Sequence, residues 1–405
     1  MNSKKQPRIS LLELFTLFIR LGCTSFGGPI AHIGFFHQEF VTKKKWYSEN
    51  EYLQILALCQ LLPGPASSQL GMAIGLNARG YLGSLVSFIG FTLPSALLMA
   101  SFALLINFYD DLSDSSALYS LKIIAVAVVA QAIVTMGKAQ CIGTVKASIT
   151  TISAFVALTN NNPFNHIVII IFAGLAGYLF CQVQLKEVVN TANQPKTSHK
   201  RLGLLLIATF LLLLITSPIL QSVSSNELVT IFDSFYRSGA LVFGGGHVVL
   251  PLLESELVST GLINSKDFLY GYSVAQAIPG PLFTFSSYLG VLSVDQSSPF
   301  IGSLVSTIAI FLPGYLLVIG LLPHWQSLCK NENLNKAISG INASVVGLLI
   351  ASFIQPIWLE TIHTSLDIAF ALVAFIGLTL LNLSPLKLIS IALSIAFAFD
   401  VFAVF

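Results

Sequence analysis

The sequence predicts an all-α polytopic membrane protein made of two inverted-topology repeats. Three observations predict it. The 405-residue chain is 55% hydrophobic and 9% charged, with a mean hydropathy of +0.82. A soluble domain carries about a quarter charged residues, so this chain lacks the charge to cover a water-facing surface. Its apolar runs are continuous over about 16–24 residues instead of alternating in tens, which selects helices over a barrel. Finally, one block of sequence occurs twice, at a spacing of about 217 residues, with Arg20 answered by Arg237.

The repeat defines the elements in order. Phe18–Val41 reads FIRLGCTSFGGPIAHIGFFHQEFV, and Phe235–Val258 reads FYRSGALVFGGGHVVLPLLESELV. Gln60-Leu-Leu-Pro-Gly-Pro65 is answered by Gln276-Ala-Ile-Pro-Gly-Pro281, and the run Gly83–Pro94 by Gly302–Pro313. The expected units are residues 1–183, a linker with one extra apolar segment at 184–230, and residues 231–405. Each unit opens with two segments interrupted midway. The first interruption is Phe26-Gly27-Gly28-Pro29, answered by Phe243-Gly244-Gly245-Gly246. The second is Pro63-Gly64-Pro65, answered by Pro279-Gly280-Pro281. Proline removes a backbone donor and glycine relaxes the chain, so a helix is expected to break there. In lipid the freed backbone groups must be buried in protein or line a wet cavity. Ser48-x-x-Glu51 reads as a capping box that opens the second broken segment. Four unbroken spans are expected to come next in each unit, near 82–107, 117–137, 146–160 and 165–183, then 299–322, 337–355, 366–382 and 386–405. The extra segment covers 202–221.

Charge sets the expected orientation. With each broken segment returning to its own side, Lys4, Lys5, Arg8, Lys43–Lys45, Arg79, Lys138, Lys146 and the linker residues Lys186, Lys196, Lys200 and Arg201 fall inside. Asp110, Asp111 and Asp114 fall outside. Segment 202–221 crosses once and inverts the second unit. Lys330, Lys336 and Lys387 then fall inside, while Asp267 and Asp295 fall outside with Lys266. This agrees with the positive-inside rule. It gives nine full spans and four hairpins, with the N-terminus cytoplasmic and the C-terminus outside. If each broken segment instead crosses once, Lys43–Lys45 move outside. The basic start Met1–Arg8 is read as mature protein, because Glu13 and Arg20 interrupt the apolar stretch behind it.

Inverted repeats with discontinuous helices are the build of secondary transporters, whose sites lie near the midplane where half-helices end. A helix N-terminus presents free N–H groups and about half a positive charge, which suits an anion. Pro29 and Pro65 stand where helices would restart. Ser67, Ser68 and Gln69, and in the second copy Thr284, Ser286 and Ser287, lie in the next turns as hydrogen-bond donors. Arg20 and Arg237 are embedded in apolar stretches and need a partner. Glu39 and Glu256 are paired by the repeat but sit at the far ends of their segments. The arginines therefore serve a substrate anion or an internal carboxylate, or they snorkel or cap a carbonyl. Gln60 and Gln276 cap the broken helices or face the site. His32 and His247, offset by two places between the copies, are proton carriers or satisfied core residues. The five cysteines show no C-x-x-C spacing and read as packing residues. The chain shows no P-loop, H-E-x-x-H or nucleophile elbow. A non-enzyme without cofactor or metal is expected, drawing energy from an ion gradient, the membrane potential or a partner. Net charge is +2 without a basic patch, so nucleic acid is not an expected partner. Membrane lipid is an expected partner, and a homodimer stays open.

The doubled F-G-G and P-G-P runs, in this order over about residues 11–400, resemble the chromate transporter family. The resemblance implies a bacterial plasma-membrane protein that exports chromate, driven by the membrane potential or a proton gradient, with sulfate as the isosteric second substrate. A passive channel or importer for a tetrahedral oxyanion is the alternative. Both ions are dianions suited to helix N-termini, hydroxyls and an arginine fork. One departure is that the second copy reads F-G-G-G where the first reads F-G-G-P, which puts equal roles for the halves in doubt.

Overall fold

The computed structural model describes residues 9–108, 116–159, 164–182, 200–224, 226–243, 246–294, 299–324 and 331–403. Among these residues it is all-helical, with 16 α-helices and no strand. Several residues named above lie outside the described ones: Lys4, Lys5, Arg8, Asp110, Asp111, Asp114, Lys186, Lys196, Gly244, Gly245, Asp295 and Lys330.

The first helix, α1 (Leu11–Thr24), starts at a Ser10–Glu13 capping box and buries Leu14, Leu17, Phe18 and Leu21, the one-face spacing of an amphipathic helix. It ends at Ser25, whose backbone is extended. Gly27, with φ +97°, then caps α2 (Gly28–His37), where proline occupies the first turn. The interruption expected at 26–29 is therefore present. The chain also turns back there. Arg20 and Glu39 touch at 2.7 Å, whereas 19 residues of straight helix would separate them by about 28 Å. Phe18 stacks on Phe40 and meets Phe36 edge-on, closing the hairpin with an aromatic cluster.

α3 (Glu49–Leu61) opens with the expected Ser48–Glu51 capping box. Ser48→Ala is expected to lower stability by about 1 kcal/mol, read as a lower thermal midpoint in detergent. Leu62 is extended and Gly64 has φ +115°, so the chain also breaks at 63–65. α4 (Ala66–Phe108) then contains non-helical backbone at Arg79 and Gly80. It folds back at that point. The Ser87 hydroxyl donates to the Gly71 carbonyl at 3.0 Å, although 16 helical residues would span about 24 Å. A Cβ on Gly75 would lie 2.3 Å from Gly83 O, so only glycine allows this approach.

The remaining elements are α5 (Ser116–Gln140), α6 (Thr144–Thr159), α7 (Phe164–Phe180), α8 (Lys200–Val223), α9 (Glu227–Leu241), α10 (Val249–Leu253), α11 (Ser265–Ala275), α12 (Phe285–Leu292), α13 (Pro299–Leu321), α14 (Glu332–Ser352), α15 (Ser365–Thr379) and α16 (Pro385–Ala403). Five of the apolar helices reach crossing length: the long α4, α5, α8, α13 and α14. α6, α7 and α15 run to 17 residues or fewer, shorter than full crossings. Phe155, Phe172, Leu212, Ile215 and Val373 on α6, α7, α8 and α15 are exposed, the apolar surface a bilayer covers.

Contacts come in matched pairs. Gly22 packs on Phe91 O, and Gly239 packs on Ile310 O. Gly75 meets Gly83, and Gly290 meets Gly302. The Gly64 N–H donates to Val242 O at 2.7 Å, and the Gly280 N–H donates to Ser25 O at 2.9 Å. Each P-G-P interruption is thus hydrogen-bonded to the F-G-G interruption of the other copy. Pro94 and Pro313 sit inside α4 and α13, and the residues after them, Ser95 and Gly314, touch Gly280 and Gly64 respectively. All four interruptions therefore meet beside the middles of the long helices.

Candidate functional site

At this crossing, α4 restarts on Pro65. The Gln69 N–H bonds Pro65 O at 2.9 Å, leaving the first-turn amides of Ala66, Ser67 and Ser68 ahead of the first intrahelical bond. In the second copy a 3₁₀ turn, Leu282–Thr284, comes after Pro281 and leads into α12. The two restarts carry buried polar atoms that no protein group satisfies: Ser25 Oγ, Ser68 Oγ, Gln69 Oε1, Gln276 Nε2 and Ser286 Oγ. Each such group costs about 1–3 kcal/mol if left dry. Buried polar groups left without a protein partner are uncommon and call for an explanation.

The structure sorts the expected donors. Ser68 and Ser286 keep free hydroxyls. Gln69 spends its Nε2 on Pro63 O at 2.8 Å, which leaves only an acceptor. Thr284 donates to Pro281 O, and Ser287 donates to Ala96 O. Gln276 has an unpartnered Nε2, whereas Gln60 is exposed. Gly64, Pro65, Gly280 and Pro281 are buried, Pro63 and Pro279 are half-buried, and Gly246 packs against Pro29. Phe26, Phe243 and Gly28 are half-buried, and Gly27 is exposed.

His32 is fully buried. Its Nε2 lies 3.1 Å from Ser25 O, which requires a proton there and leaves Nδ1 to accept from Ser67 Oγ at 3.4 Å. Ser25 O thus receives both His32 and Gly280, joining the first copy's interruption to the second's. His247 Nδ1 lies 2.9 Å from the Tyr272 hydroxyl. Both histidines have protein partners, the core-histidine arrangement.

The arginines are held by internal carboxylates. Arg20 is paired with Glu39 and its side chain is 59% exposed, with Lys43 Nζ and Lys44 Nζ at 3.7 and 4.0 Å from the same carboxylate. Arg237 is buried and grips Glu256 with two bonds of 2.8 Å, while its Nε donates to Asp233 at 2.8 Å. Asp233 is absent from the residues singled out in the sequence. Its signal is an acid four positions before an arginine on one helix, a facing pair. Glu39 and Glu256 look distant in the linear order, and the hairpins bring them back. Among the described residues no group of acids, histidines and cysteines is placed to hold a metal.

Comparison with known proteins agrees with this architecture. The family profile described as chromate transporter matches residues 12–178 and again residues 229–399. A probable chromate transport protein of Synechococcus elongatus is 28% identical, covering 92% of this chain and 90% of its own length. An uncharacterized transporter of Methanocaldococcus jannaschii is 27% identical over 87% and 86% respectively. A chromate transport protein of Pseudomonas aeruginosa is 25% identical over 86% and 82%. No solved structure matches the chain.

Proposed function

Since the chain belongs to the chromate transporter family, we propose that it exports chromate across the bacterial plasma membrane as a secondary transporter. A family of transporters rather than enzymes, together with five apolar helices of crossing length, makes it a multi-pass membrane protein with a role in chromate transport. The finer reading rests on one observation. Ser25, Ser68, Gln276 and Ser286, each within about a turn and a half of an interruption that hydrogen-bonds the two copies, carry buried donors with no partner among the described residues.

A tetrahedral dianion supplies acceptors to these hydroxyls and to the first-turn amides of α4. The two copies act as inverted halves that rock about this point, with the N-terminus cytoplasmic and the C-terminus outside. Arg20, Lys43 and Lys44 outnumber Glu39 and draw the anion towards the crossing from the cytoplasmic side. An inside-negative potential drives the export by about 2.3 kcal/mol per charge per 100 mV.

The test is flux in proteoliposomes of purified protein under an imposed potential. Chromate is expected to accumulate against its gradient, and sulfate, being isosteric, to compete. Arg20→Ala is expected to reduce flux to background while folding is kept, because Lys43 and Lys44 still neutralise the buried Glu39 carboxylate. Flux that merely dissipates the imposed gradient would identify a channel, and absence of chromate flux at any potential would remove the proposal.

A further inference from the structure

The two arginine networks are repeat equivalents with opposite charge balance. In the first copy three cations, Arg20, Lys43 and Lys44, surround one carboxylate, Glu39. In the second copy two carboxylates, Asp233 and Glu256, share one cation, Arg237. Thr16 occupies the position corresponding to Asp233. The networks also differ in exposure. The Arg20 side chain is 59% exposed against 8% for Arg237, while Glu39 at 8% is as buried as Glu256 at 11% and Asp233 at 0%. The cause is α8, which has no counterpart on α1. It lies across α9, with the Ser217 hydroxyl donating to Asp233 Oδ1 at 2.6 Å and the Tyr236 hydroxyl donating to Phe210 O at 3.0 Å.

We propose that the Asp233–Arg237–Glu256 network, sealed by Ser217, is the proton-binding site that couples this transporter to the proton gradient. The inference rests on the transport reading above and names its coupling ion. A buried network with one excess negative charge carries a large solvation cost. One bound proton removes that excess. Two carboxylates bonded to one guanidinium are coupled through it, so the bound proton is a property of the pair. Glu256, the more accessible of the two, is where the proton enters. When the proton leaves, the network is anionic again, and Arg237 must serve both carboxylates. That difference in charge is what biases the α9–α10 hairpin between two arrangements, and this hairpin carries one of the four interruptions.

The surroundings leave few other candidates. Further titratable groups on α9 are Glu227, at its start, and Tyr236, which is bonded to Phe210 O. The turn after α10 adds Glu254. α8 supplies Ser217, with its only charges, Lys200 and Arg201, near the opposite end. α13 supplies Tyr315 and no charged residue, and α11, packed against the segment that carries Glu256, supplies Lys266, Asp267, Tyr270 and Tyr272.

The experiment compares chromate accumulation in proteoliposomes under an imposed potential, with and without an acidic lumen, for the natural sequence, Asp233→Asn and Glu256→Gln. For the natural sequence, each pH unit of gradient is expected to change the accumulation ratio tenfold per coupled proton. Both variants leave a neutral one-to-one pair, so they are expected to stay folded and to bind chromate. They are expected to respond to potential but not to pH. A variant that keeps the tenfold response overturns the inference, as does unfolding of both variants, because the excess charge would then be structural. A natural protein that accumulates chromate under potential yet ignores pH overturns the inference and leaves the transport reading standing. A natural protein without chromate flux overturns both.

Discussion

Arg237→Ala is expected to destabilise the folded protein by about 3–5 kcal/mol and to abolish transport. Arg237 uses Nε on Asp233 and Nη1 and Nη2 on Glu256, each at 2.8 Å. Removing it strands two carboxylates in a space that α8 closes to water. The network also ties three elements together: α9, the turn after α10 and, through Ser217, α8. Arg237→Lys restores the charge but not the fork, so it is expected to recover only part of the loss. The repeat supplies its own control. Arg20→Ala removes the equivalent residue from a half-exposed pair whose buried Glu39 keeps Lys43 and Lys44 beside it, so the stability cost is expected to be smaller. Thermal unfolding in detergent checks the contrast, and equal midpoints for the two alanine variants would contradict it.

Gly280→Ala is expected to be the second most damaging change. Gly280 has φ +102°, beyond even the left-handed region open to other residues. An added Cβ would lie 2.7 Å from Ser95 Oγ and 3.0 Å from Ser95 Cβ. Backbone strain of about 1–2 kcal/mol adds to overpacking of about 1–3 kcal/mol. The shift needed to relieve both would lengthen the Gly280 N–H bond to Ser25 O and separate the copies at their crossing. Chromate flux is expected to fall to background with the protein still inserted. Gly261→Ala isolates the strain, because Gly261 has φ +78° but nothing within 4 Å of the added carbon. It is expected to lower the melting temperature modestly and leave flux unchanged. Equal flux in the two variants would show that the Ser95 contact does not matter.

Several features were legible in the chain because they depend only on local chemistry. The breaks at 26–29 and 63–65 arise from glycine and proline, and both appear where those residues stand. The capping box at Ser48 needs only a hydroxyl and a carboxylate three residues apart. The helices from α5 to α8 and from α13 to α16 begin and end close to the apolar runs that predicted them. The fold-back of α4 at Arg79–Gly80 was expected as the start of a new span, and its Gly75–Gly83 contact explains how two helices lie so close.

What the sequence alone determined was membership of a doubled, helix-broken membrane architecture, because hydropathy, proline, glycine and an internal repeat act within one segment at a time. What only the tertiary structure decided was which polar groups remain free. The hairpins bring Glu39 to Arg20 and Glu256 to Arg237 across 19 residues. α8 buries one of these networks and leaves the other open. Gln69 and Thr284 spend their donors on nearby carbonyls, while Ser68 and Ser286 do not. A side chain's availability depends on every neighbour within about 3 Å, and those neighbours come from segments that the linear order keeps far apart.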